Sequence, residues 1–366
     1  MAGWGRSAPP GHVRDTETMS TERTTRPRMI DVAAAADVSV QSVSNFANGR
    51  WARLSVATRG RIEEAIAQLN YQVNNSARGL RSARTQTLGF LVLDDSHRFV
   101  ADPLTALYLA GIADTARERG YSVLVHTTAH TKDHAELLRP ISEGRVDAAC
   151  VLLTGSPAVR RRVAQMLNQT DTEFVLFDEL AVAKVAGRAF VVRSDQAAGA
   201  TAIVDHLVAQ GHRRIAFIAA KERWAVIEQR FDAYKRALRR HGIDIDPELT
   251  LFEAGWEPTG ADAMVRKLLA LNTPPSAIVC GSDLLAIGAM RTLREVGIAV
   301  PDQMAVCGFD DFDVSKFVNP QLTTVTVPAW EMGASAAGLL IDTLEGTRSS
   351  ITEVCLSTKL QVRESA

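Results

Sequence analysis

Apolar residues follow two alternating patterns along most of this 366-residue chain. From residue 86 onward, continuous apolar runs such as LGFLVLD (88–94) predict buried strands. Between the runs, apolar residues recur three and four positions apart, as in PLTALYLAGIADTARERG (103–120), and predict amphipathic helices. The alternation resumes after residue 193. It predicts two parallel sheets of similar size, each covered by helices on both faces, in two lobes that face a cleft.

Residues 29–49, MIDVAAAADVSVQSVSNFANG, have a different pattern. An alanine-rich helix is predicted to start at Asp31 and to end in a turn at Asp37. A second helix over 40–48 is predicted to be capped by Ser39. Two short helices joined by a tight turn form a helix-turn-helix, which presents its second helix to the DNA major groove.

The second of these helices is predicted to have an inner and an outer face. Val43 and Phe46 are three residues apart and should face inward, while Ser55 should cap a third helix that closes a small core. The side chains expected outside can hydrogen-bond base edges and phosphates, and they are Gln41, Ser42, Ser44 and Asn45. A plain helical hairpin has a similar pattern, so this stretch alone leaves both interpretations open.

A basic segment follows the third helix. NNSARGLRSART (74–85) contains three arginines, no acidic residue and one large apolar residue, Leu80. This composition suits a short helix in the minor groove with the leucine as a wedge, and it equally suits a basic linker. Residues 1–85 carry a net charge of +5 and residues 86–366 a net charge of −6. Such asymmetry between the halves of a chain favours nucleic-acid binding.

Composition narrows the class of protein. With 46% hydrophobic and 23% charged residues, the chain is typical of a soluble globular protein of two or three domains. No apolar run approaches the roughly 20 residues of a membrane span. Residues 1–28 lack the apolar core of a signal peptide and are expected to be a disordered tail. Buried free thiols in a reducing cytoplasm are expected for Cys150, Cys280, Cys307 and Cys355.

Enzyme signatures are missing from the sequence. It has neither GxGxxG nor GxxxxGK[ST], and no nucleophile constellation, so no cofactor and no enzymatic activity are expected. His126, His130 and His134 cross a strand end, a loop and a helix start, and are not expected to bind a metal. Polar residues follow the predicted strands at Asp94, Asp95, Asp178, Glu222, Ser282, Asp283, Asp310 and Asp311. Carboxylates around a cleft suit ligands rich in hydroxyl groups.

The order of these motifs resembles the LacI/GalR family of transcription regulators across about residues 29–366. DVAAAADVSVQSVSNFANG resembles the family's headpiece, and TRGRIEEAIAQLNYQVNNSARGL its third helix and hinge. QGHRRIAFI, SDLLAIGAM, VCGFDDFDVSKFVNPQLTTVTVP and LQVRES resemble its effector-domain signatures. The implied fold class is α/β, with a helix-turn-helix headpiece and a hinge helix joined to a two-lobed effector domain like that of periplasmic binding proteins. The effector domain would contain two parallel doubly wound sheets.

The resemblance also implies domain boundaries. These are a tail (1–28), a DNA-binding headpiece (29–73), a hinge helix and linker (74–85), a first lobe (86–192 plus 325–350) and a second lobe (193–324 plus 351–366). The family is a repressor class that acts as a homodimer or higher homo-oligomer in the cytoplasm. Its partners would be a pseudo-palindromic operator in double-stranded DNA and a small effector, a sugar or polyol, bound between the lobes. No membrane association is implied.

DNA-binding residues are implied by position. Bases would be read by Val40, Gln41 and Asn45. Contacts to phosphate, or helix capping, would come from Ser39, Ser42, Ser44 and Asn48, and a further backbone contact from Arg53. The hinge pattern is matched by Asn74, Ala77, Arg78 and Leu80, with Leu80 wedged at the central base step. Asp37 stands where the family has glycine, and Asn45 where arginine is common, so the base preference at Asn45 should differ.

Effector-binding residues are implied in the same way. Arg230 matches the family's ligand-gripping arginine, Trp256 its stacking aromatic residue, and Asp283 and Asp310 its hydroxyl acceptors. Asp95 and Asp178, at strand ends, complete the predicted set. A solute-binding receptor without DNA control is the alternative function, since the lobes would fit it, but the headpiece argues against it. A doubly wound enzyme would lack its cofactor fingerprint.

Overall fold

The computed structural model describes most of the chain. The described residues are 27–47, 50–71, 84–94, 99–129, 134–179, 189–221, 224–255, 257–347 and 352–366. They belong to two compact units that divide after residue 77. The predicted tail and most of the predicted hinge helix lie outside the described residues.

The described residues of the first unit contain three α-helices: α1 (Met29–Ala35), α2 (Val40–Ala47) and α3 (Val56–Gln68). Their core consists of Val32, Ala33, Ala36, Val43, Leu54, Ile62, Ala65 and Tyr71. Val43 is fully buried and Phe46 packs against the core, which confirms the inner face predicted for the second helix. The small side chains of α1 allow the other two helices to approach it closely.

Local polar groups set the boundaries of these helices. Asp37 has a φ of 50°, so the turn uses the left-handed conformation that glycine favours and that Asp tolerates. Ser39 and Ser55 each accept a 3.1 Å hydrogen bond from the N–H three residues later, as expected of N-caps. α1 begins two residues before Asp31, whose carboxylate accepts the N–H of Arg28 at 2.7 Å. The predicted caps and turn are therefore confirmed, and only the start of α1 moves.

The second unit alternates strands and helices. Its strands are β1 (Thr87–Leu93), β2 (Ser122–Thr128), β3 (Ala148–Leu153), β4 (Glu173–Phe177), β5 (Phe190–Ser194), β6 (Ile215–Ala220), β7 (Thr250–Ala254), β8 (Ala277–Cys280), β9 (Ala305–Cys307), β10 (Thr324–Thr326), β11 (Glu353–Leu356) and β12 (Lys359–Gln361). Its helices are α4 (Pro103–Glu118), α5 (Arg139–Ser142), α6 (Pro157–Asn168), α7 (Gln196–Ala209), α8 (Ala225–Arg240), α9 (Ala261–Leu269), α10 (Asp283–Glu295) and α11 (Ala329–Leu344). Every helix in the described ranges is too short or too polar for a membrane span.

A six-stranded parallel sheet in the order β11-β5-β4-β3-β1-β2 forms the first lobe. Helices α4 and α11 pack on one face, and α5 and α6 pack on the other. Phe90 points into the first layer and Leu91 into the second, and both are fully buried. Burial on both faces explains why β1 has a continuous apolar sequence rather than an alternating one.

A four-stranded parallel sheet in the order β7-β6-β8-β9 forms the second lobe. Helices α7 and α8 cover one face, and α9 and α10 cover the other. Close to this lobe, β10 pairs antiparallel with β12, and Ser365 hydrogen-bonds the carbonyl of Val306 at 2.6 Å. The carboxyl ends of parallel strands in both lobes are therefore available to build a ligand site.

Three expectations about this unit are wrong. The sheets are unequal, with six strands against four. Residues 353–356, assigned from sequence to the second lobe, form β11, which pairs with β5 in the first-lobe sheet. Cys355, expected to be buried, is exposed on this strand. The errors at residues 353–356 and at Cys355 involve the sheet edge, where a short strand with alternate residues exposed lacks the buried apolar run that reveals β1.

Two glycines allow α4 and α11 to pack closely. A Cβ atom on Gly111 would lie 2.0 Å from the carbonyl oxygen of Trp330, and one on Gly333 would lie 2.2 Å from that of Tyr108. Both obstacles are backbone atoms, which cannot rotate away as side chains do. The close approach of these helices therefore requires glycine at both positions.

We expect Gly111→Ala to lower the free energy of unfolding by about 1–3 kcal/mol, because the added methyl group forces two packed helices apart. Gly338→Ala is the matched control, since a Cβ atom at Gly338, also on α11, would meet nothing within 4 Å. There alanine should raise stability by up to about 1 kcal/mol, through its higher helix propensity. Thermal unfolding followed by circular dichroism measures both, and equal effects of the two substitutions would contradict the packing argument.

Candidate functional site

The outer face of α2 begins at its first turn. Val40 is 43% exposed, and Gln41 and the preceding Ser39 are also exposed. Ser42 is half-buried and donates its N–H to Ser39 Oγ at 3.1 Å, with the two hydroxyl oxygens 2.9 Å apart. Gln41 Nε2 donates to Asn45 Oδ1 at 3.3 Å. This face therefore presents Val40 and Gln41 to solvent, while Ser39 and Ser42 cap the helix.

Ser44 and Asn45 do not lie on the outer face, contrary to the expectation from sequence. Their exposed fractions are only 5% and 9%. The reason is that α2 packs against α1, α3 and the short turn that follows it, so its buried face is wider than the Val43–Phe46 stripe. The carbonyl of Asn45 also accepts the N–H of Arg50 at 2.9 Å. In the free unit both side chains therefore support α2, and the exposed reading face is smaller than predicted.

A 3-10 turn, Trp51–Arg53, follows α2 and is exposed. Arg59 Nη2 donates to the carbonyl of Trp51 at 2.8 Å and to that of Leu54 at 3.3 Å, which holds the turn against α3. Arg53 is thus a surface cation on the same unit as α2, as expected. The remaining predicted DNA-binding residues lie outside the described residues, and they are Asn48, Asn74, Ala77, Arg78 and Leu80.

In the second unit, the buried guanidinium of Arg230 joins several elements of the second lobe. Arg230 is 2% exposed and donates from Nε to Gln196 Oε1 at 2.7 Å and from Nη1 to the carbonyl of Gly281 at 2.7 Å. Its Nη2 donates to Asp310 Oδ1 at 2.8 Å. The guanidinium also lies 3.7 Å from the ring centroid of Phe309. Arg230 therefore links α7, the end of β8 and the loop after β9, rather than capping its own helix.

Asp310 occupies a strained position beside this arginine. Its φ is 113°, in the left-handed region that glycine favours. Burial raises the pKa of Asp310 to about 7, because the effect of desolvation exceeds the opposing effect of Arg230. The neighbouring carboxylates of Asp102 and Asp178 raise it further. The site thus contains more carboxylates than basic groups.

Asp178 supplies the first lobe's carboxylate. It follows β4, is buried, and accepts the N–H of Ser194 at 3.0 Å and the hydroxyl of Tyr108 at 3.2 Å. From the second lobe, Gln229 Nε2 donates to its main-chain carbonyl at 3.2 Å. Burial raises the pKa of the Asp178 carboxyl, although Arg230 opposes the shift. Asp178, Arg230 and Asp310 therefore form one electrostatic cluster between the lobes.

Asp283 differs from the other predicted acceptors. Its side chain is fully buried, and its carboxylate accepts the N–H of Phe312 at 2.8 Å and the hydroxyl of Thr324. Because both oxygens are bonded within the protein, Asp283 supports the loop that carries Asp310 rather than facing the cleft. The predicted residues Asp95 and Trp256 lie outside the described residues.

A small, partly open pocket lies between the lobes. The first lobe contributes apolar side chains of α4, β3 and β4, together with Tyr108, Asp178 and Glu179. The second lobe contributes Trp224 and the first residues of α8. A mostly apolar lining with a few convergent polar groups is typical of small-molecule sites. Sequence reasoning did not select Trp224, Tyr108 or Glu179, although Glu179 directly follows a residue that it did select.

A buried pair of charges borders this pocket. Arg160 and Glu179 are each 3% exposed, and Arg160 Nε lies 3.1 Å from Glu179 Oε1. Arg160 Nη2 reaches Glu228 Oε2 of the second lobe at 3.5 Å. Burial raises the pKa of Glu179 to about 8, and the carboxylates of Asp178 and Glu228 add to the shift while Arg160 opposes it. Throughout the described ranges, this site included, no three His, Cys, Asp or Glu side chains cluster as metal ligands do.

Comparison with known proteins places both units in one family. Residues 28–74 match the model for bacterial regulatory proteins of the lacI family, and residues 204–366 match a periplasmic binding protein-like domain. The HTH-type transcriptional regulator CelR of Thermobifida fusca is 31% identical over 353 residues, which cover 94% of this chain and 99% of CelR. The HTH-type transcriptional repressor CytR of Escherichia coli is 31% identical over 324 residues, covering 87% and 90%.

Solved structures show the same architecture. The CelR–cellobiose complex aligns with a TM-score of 0.70 and 30% identity, over 93% of this chain and all of that one (100%). The lac repressor dimer bound to operator and the anti-inducer ONPF aligns with a TM-score of 0.81 and 24% identity, over 93% and 99%. Fold and relatives together define a transcription regulator rather than an enzyme. The chain belongs to the lacI family of bacterial regulatory proteins, as its motifs indicated.

We expect the stability of the wild-type protein to fall, relative to Glu179→Gln, as pH rises from about 5 to 9. The pKa of Glu179 is about 8 in the folded protein against an ordinary value of 4.5, so between these values the folded state holds a proton that the unfolded chain has released. The free energy of unfolding must then decrease with rising pH, and glutamine cannot contribute this slope. Melting temperatures of both proteins across this range provide the test, and parallel curves would contradict the raised pKa.

Proposed function

We propose that this protein represses transcription by binding a pseudo-palindromic operator as a homodimer, and that a neutral sugar or polyol bound between its lobes controls operator affinity. The observation that carries the effector part is the cluster of Asp178, Arg230 and Asp310. Carboxylates accept hydrogen bonds from hydroxyl groups, and a guanidinium donates to hydroxyl oxygens. The nearby ring of Trp224, which lines the pocket, suits the apolar face of a sugar.

The charge of this cluster favours a neutral effector. Asp102, Asp178 and Asp310 are acidic, whereas Arg230 is the basic group that hydrogen-bonds to one of them, Asp310. A phosphorylated or carboxylate ligand would meet like charges in a desolvated space, where repulsion is strong. The solved complex of the relative CelR contains cellobiose, which is a neutral sugar.

The DNA-binding part of the proposal rests on the exposed start of α2. Val40 and Gln41 face solvent there and would meet base edges in the major groove, with Arg53 near the DNA backbone. Buried Asn45 would position Gln41 for this contact, because Asn45 Oδ1 accepts a hydrogen bond from the side-chain amide of Gln41. In the proposed complex, paired hinge helices carrying Asn74, Ala77, Arg78 and Leu80 enter the minor groove. A solute receptor without DNA control is disfavoured by the family match of residues 28–74.

Control of operator affinity by the effector would require only a modest energy. Coupling free energies between two sites are typically about 1–3 kcal/mol, which corresponds to about 5- to 150-fold in affinity. We propose that the ligand changes the relative arrangement of the lobes and thereby the pairing of the hinge helices. Release of DNA on sugar binding is the direction that we propose.

We expect the full-length protein to select a two-fold symmetric site from random DNA and to lose affinity steeply as salt increases, because bound phosphates release counterions. Gln41→Ala should weaken binding to the selected site about 10-fold and relax the base preference at one position per half-site, since a good amide–base contact contributes about 1–3 kcal/mol of discrimination. Fluorescence anisotropy measures both effects.

The control for this experiment is Gln68→Ala, an exposed glutamine on α3 of the same unit. It should bind the selected site as tightly as the wild type. Failure to select any symmetric site would contradict operator binding. Wild-type affinity of Gln41→Ala would instead remove Gln41 from the reading face and leave the function intact.

We expect at least one neutral sugar or polyol to raise the melting temperature of the wild-type protein, since a ligand that binds only the folded state stabilises it. Asp310→Asn should weaken that ligand's binding about 10-fold or more, because hydrogen bonds to charged groups contribute about 1.5–3 kcal/mol. Asp313→Asn, three residues later on the exposed surface, is the matched control and should bind normally. Equal affinity of both variants would contradict the assigned cluster.

A further inference from the structure

Two buried arginines near the cleft differ in how their donors are used. Each of the three nitrogens of Arg230 donates to a protein acceptor. In Arg160, by contrast, the buried Nε and Nη1 have no hydrogen-bond partner, and Nη2 reaches Glu228 only at 3.5 Å. Such unsatisfied groups are rare in protein interiors, and a site that awaits a ligand is one explanation for them.

Glu179 shows the complementary deficiency. Its Oε1 is buried without a hydrogen-bond partner, although Arg160 Nε lies only 3.1 Å away. The two atoms are therefore close but not aligned for a hydrogen bond. Glu179 lines the pocket between the lobes and directly follows Asp178, which the proposed function already assigns to the effector. Glu179, with one unsatisfied carboxyl oxygen, thus lines a pocket between the lobes.

We propose that Glu179 binds a hydroxyl group of the effector and so forms a second polar subsite of the pocket, with Arg160 as its positioning residue. This inference rests on the proposed function, since it concerns the same ligand. A hydroxyl group both donates and accepts hydrogen bonds. It can therefore donate to the unsatisfied carboxyl oxygen of Glu179 and accept from the unsatisfied donors of Arg160. An anionic group is disfavoured, because Asp178 and Glu228 lie beside Glu179.

The subsite also connects the two lobes. Arg160 belongs to α6 of the first lobe, whereas Glu228 belongs to α8 of the second. Two residues later, the same helix carries Arg230, which holds Asp310. A ligand that binds both Glu179 and Asp310 therefore contacts both lobes. Both contacts are linked to α8, the first through Arg160 and Glu228 and the second through Arg230. The chemical class expected is a neutral sugar with hydroxyl groups on two sides, rather than a short diol.

The test compares three variants by calorimetric titration with cellobiose, D-glucose and D-ribose. Glu179→Gln keeps a donor and an acceptor and should bind within about threefold of the wild type. Glu179→Leu should lose 10-fold or more. Because that variant leaves Arg160 buried without a carboxylate, the double variant Arg160→Met with Glu179→Leu replaces the pair by apolar side chains and should show the same loss while remaining folded. Arg162→Met, on the exposed side of α6, is the control.

Deoxy analogues of the sugar that binds identify the hydroxyl group. Removing the hydroxyl that Glu179 contacts should weaken binding to the wild type and have no further effect on Glu179→Leu. Wild-type affinity of the double variant, alongside a loss in Asp310→Asn, would overturn the subsite and leave the proposed function standing. Equal losses for Glu179→Gln and Glu179→Leu would show a merely structural role and also overturn it. If none of these sugars, nor any polyol, binds the wild type, both proposals fail together.

Discussion

The buried guanidinium of Arg230 makes the interactions on which the proposed ligand site depends. It is held by three hydrogen bonds and lies on the face of Phe309, so its position is fixed by four neighbours at once. Removing one partner of such a buried ion pair typically costs about 3–5 kcal/mol, because the remaining charge is left uncompensated. The strained backbone of Asp310 persists because this network holds it. The second lobe therefore holds a preorganised, buried Arg230–Asp310 pair at the carboxyl ends of β8 and β9.

Under the proposed function, the excess of carboxylates explains how this site would respond to a ligand. With one lobe supplying Asp178 and the other Asp310, burial raises the pKa of both, and no second cation within hydrogen-bond distance of the pair compensates them in the described part of the chain. Hydroxyl groups that donate to these oxygens would lower the energy of the ionised forms. Since each lobe contributes acceptors, a bound ligand interacts with both lobes. Its binding free energy is most favourable when the distance between the lobes lets both sets of hydrogen bonds form. An equilibrium between lobe arrangements can shift only by such differential binding.

Local chemistry made much of the fold predictable, and long-range packing limited the rest. Ser39, Ser55 and Asp37 act within a few residues of themselves, so the sequence pattern is sufficient to place the caps and the turn. Ser44 and Asn45 were misplaced because the width of a helix's buried face depends on what packs against it. β11 and Cys355 were misplaced because an edge strand pairs with a partner about 160 residues away and has no buried apolar run. At the candidate site, position after a strand predicted both Asp178 and Asp283, but it could not show that both oxygens of Asp283 are bonded within the protein.

The start of β1 shows how a change in the first lobe could reach the chain that precedes it. Asp147 accepts the N–H of Thr85 at 2.6 Å, its hydroxyl at 2.9 Å and the N–H of Gln86 at 2.7 Å. Gln86 has a φ of 51°, so the backbone bends sharply just before the strand. Residues 85–86 are therefore fixed to the lobe rather than forming a loose tether. Under the proposed function, a ligand-dependent movement of the first lobe would therefore carry residues 85–86, the end of the predicted hinge and the start of β1, along with it.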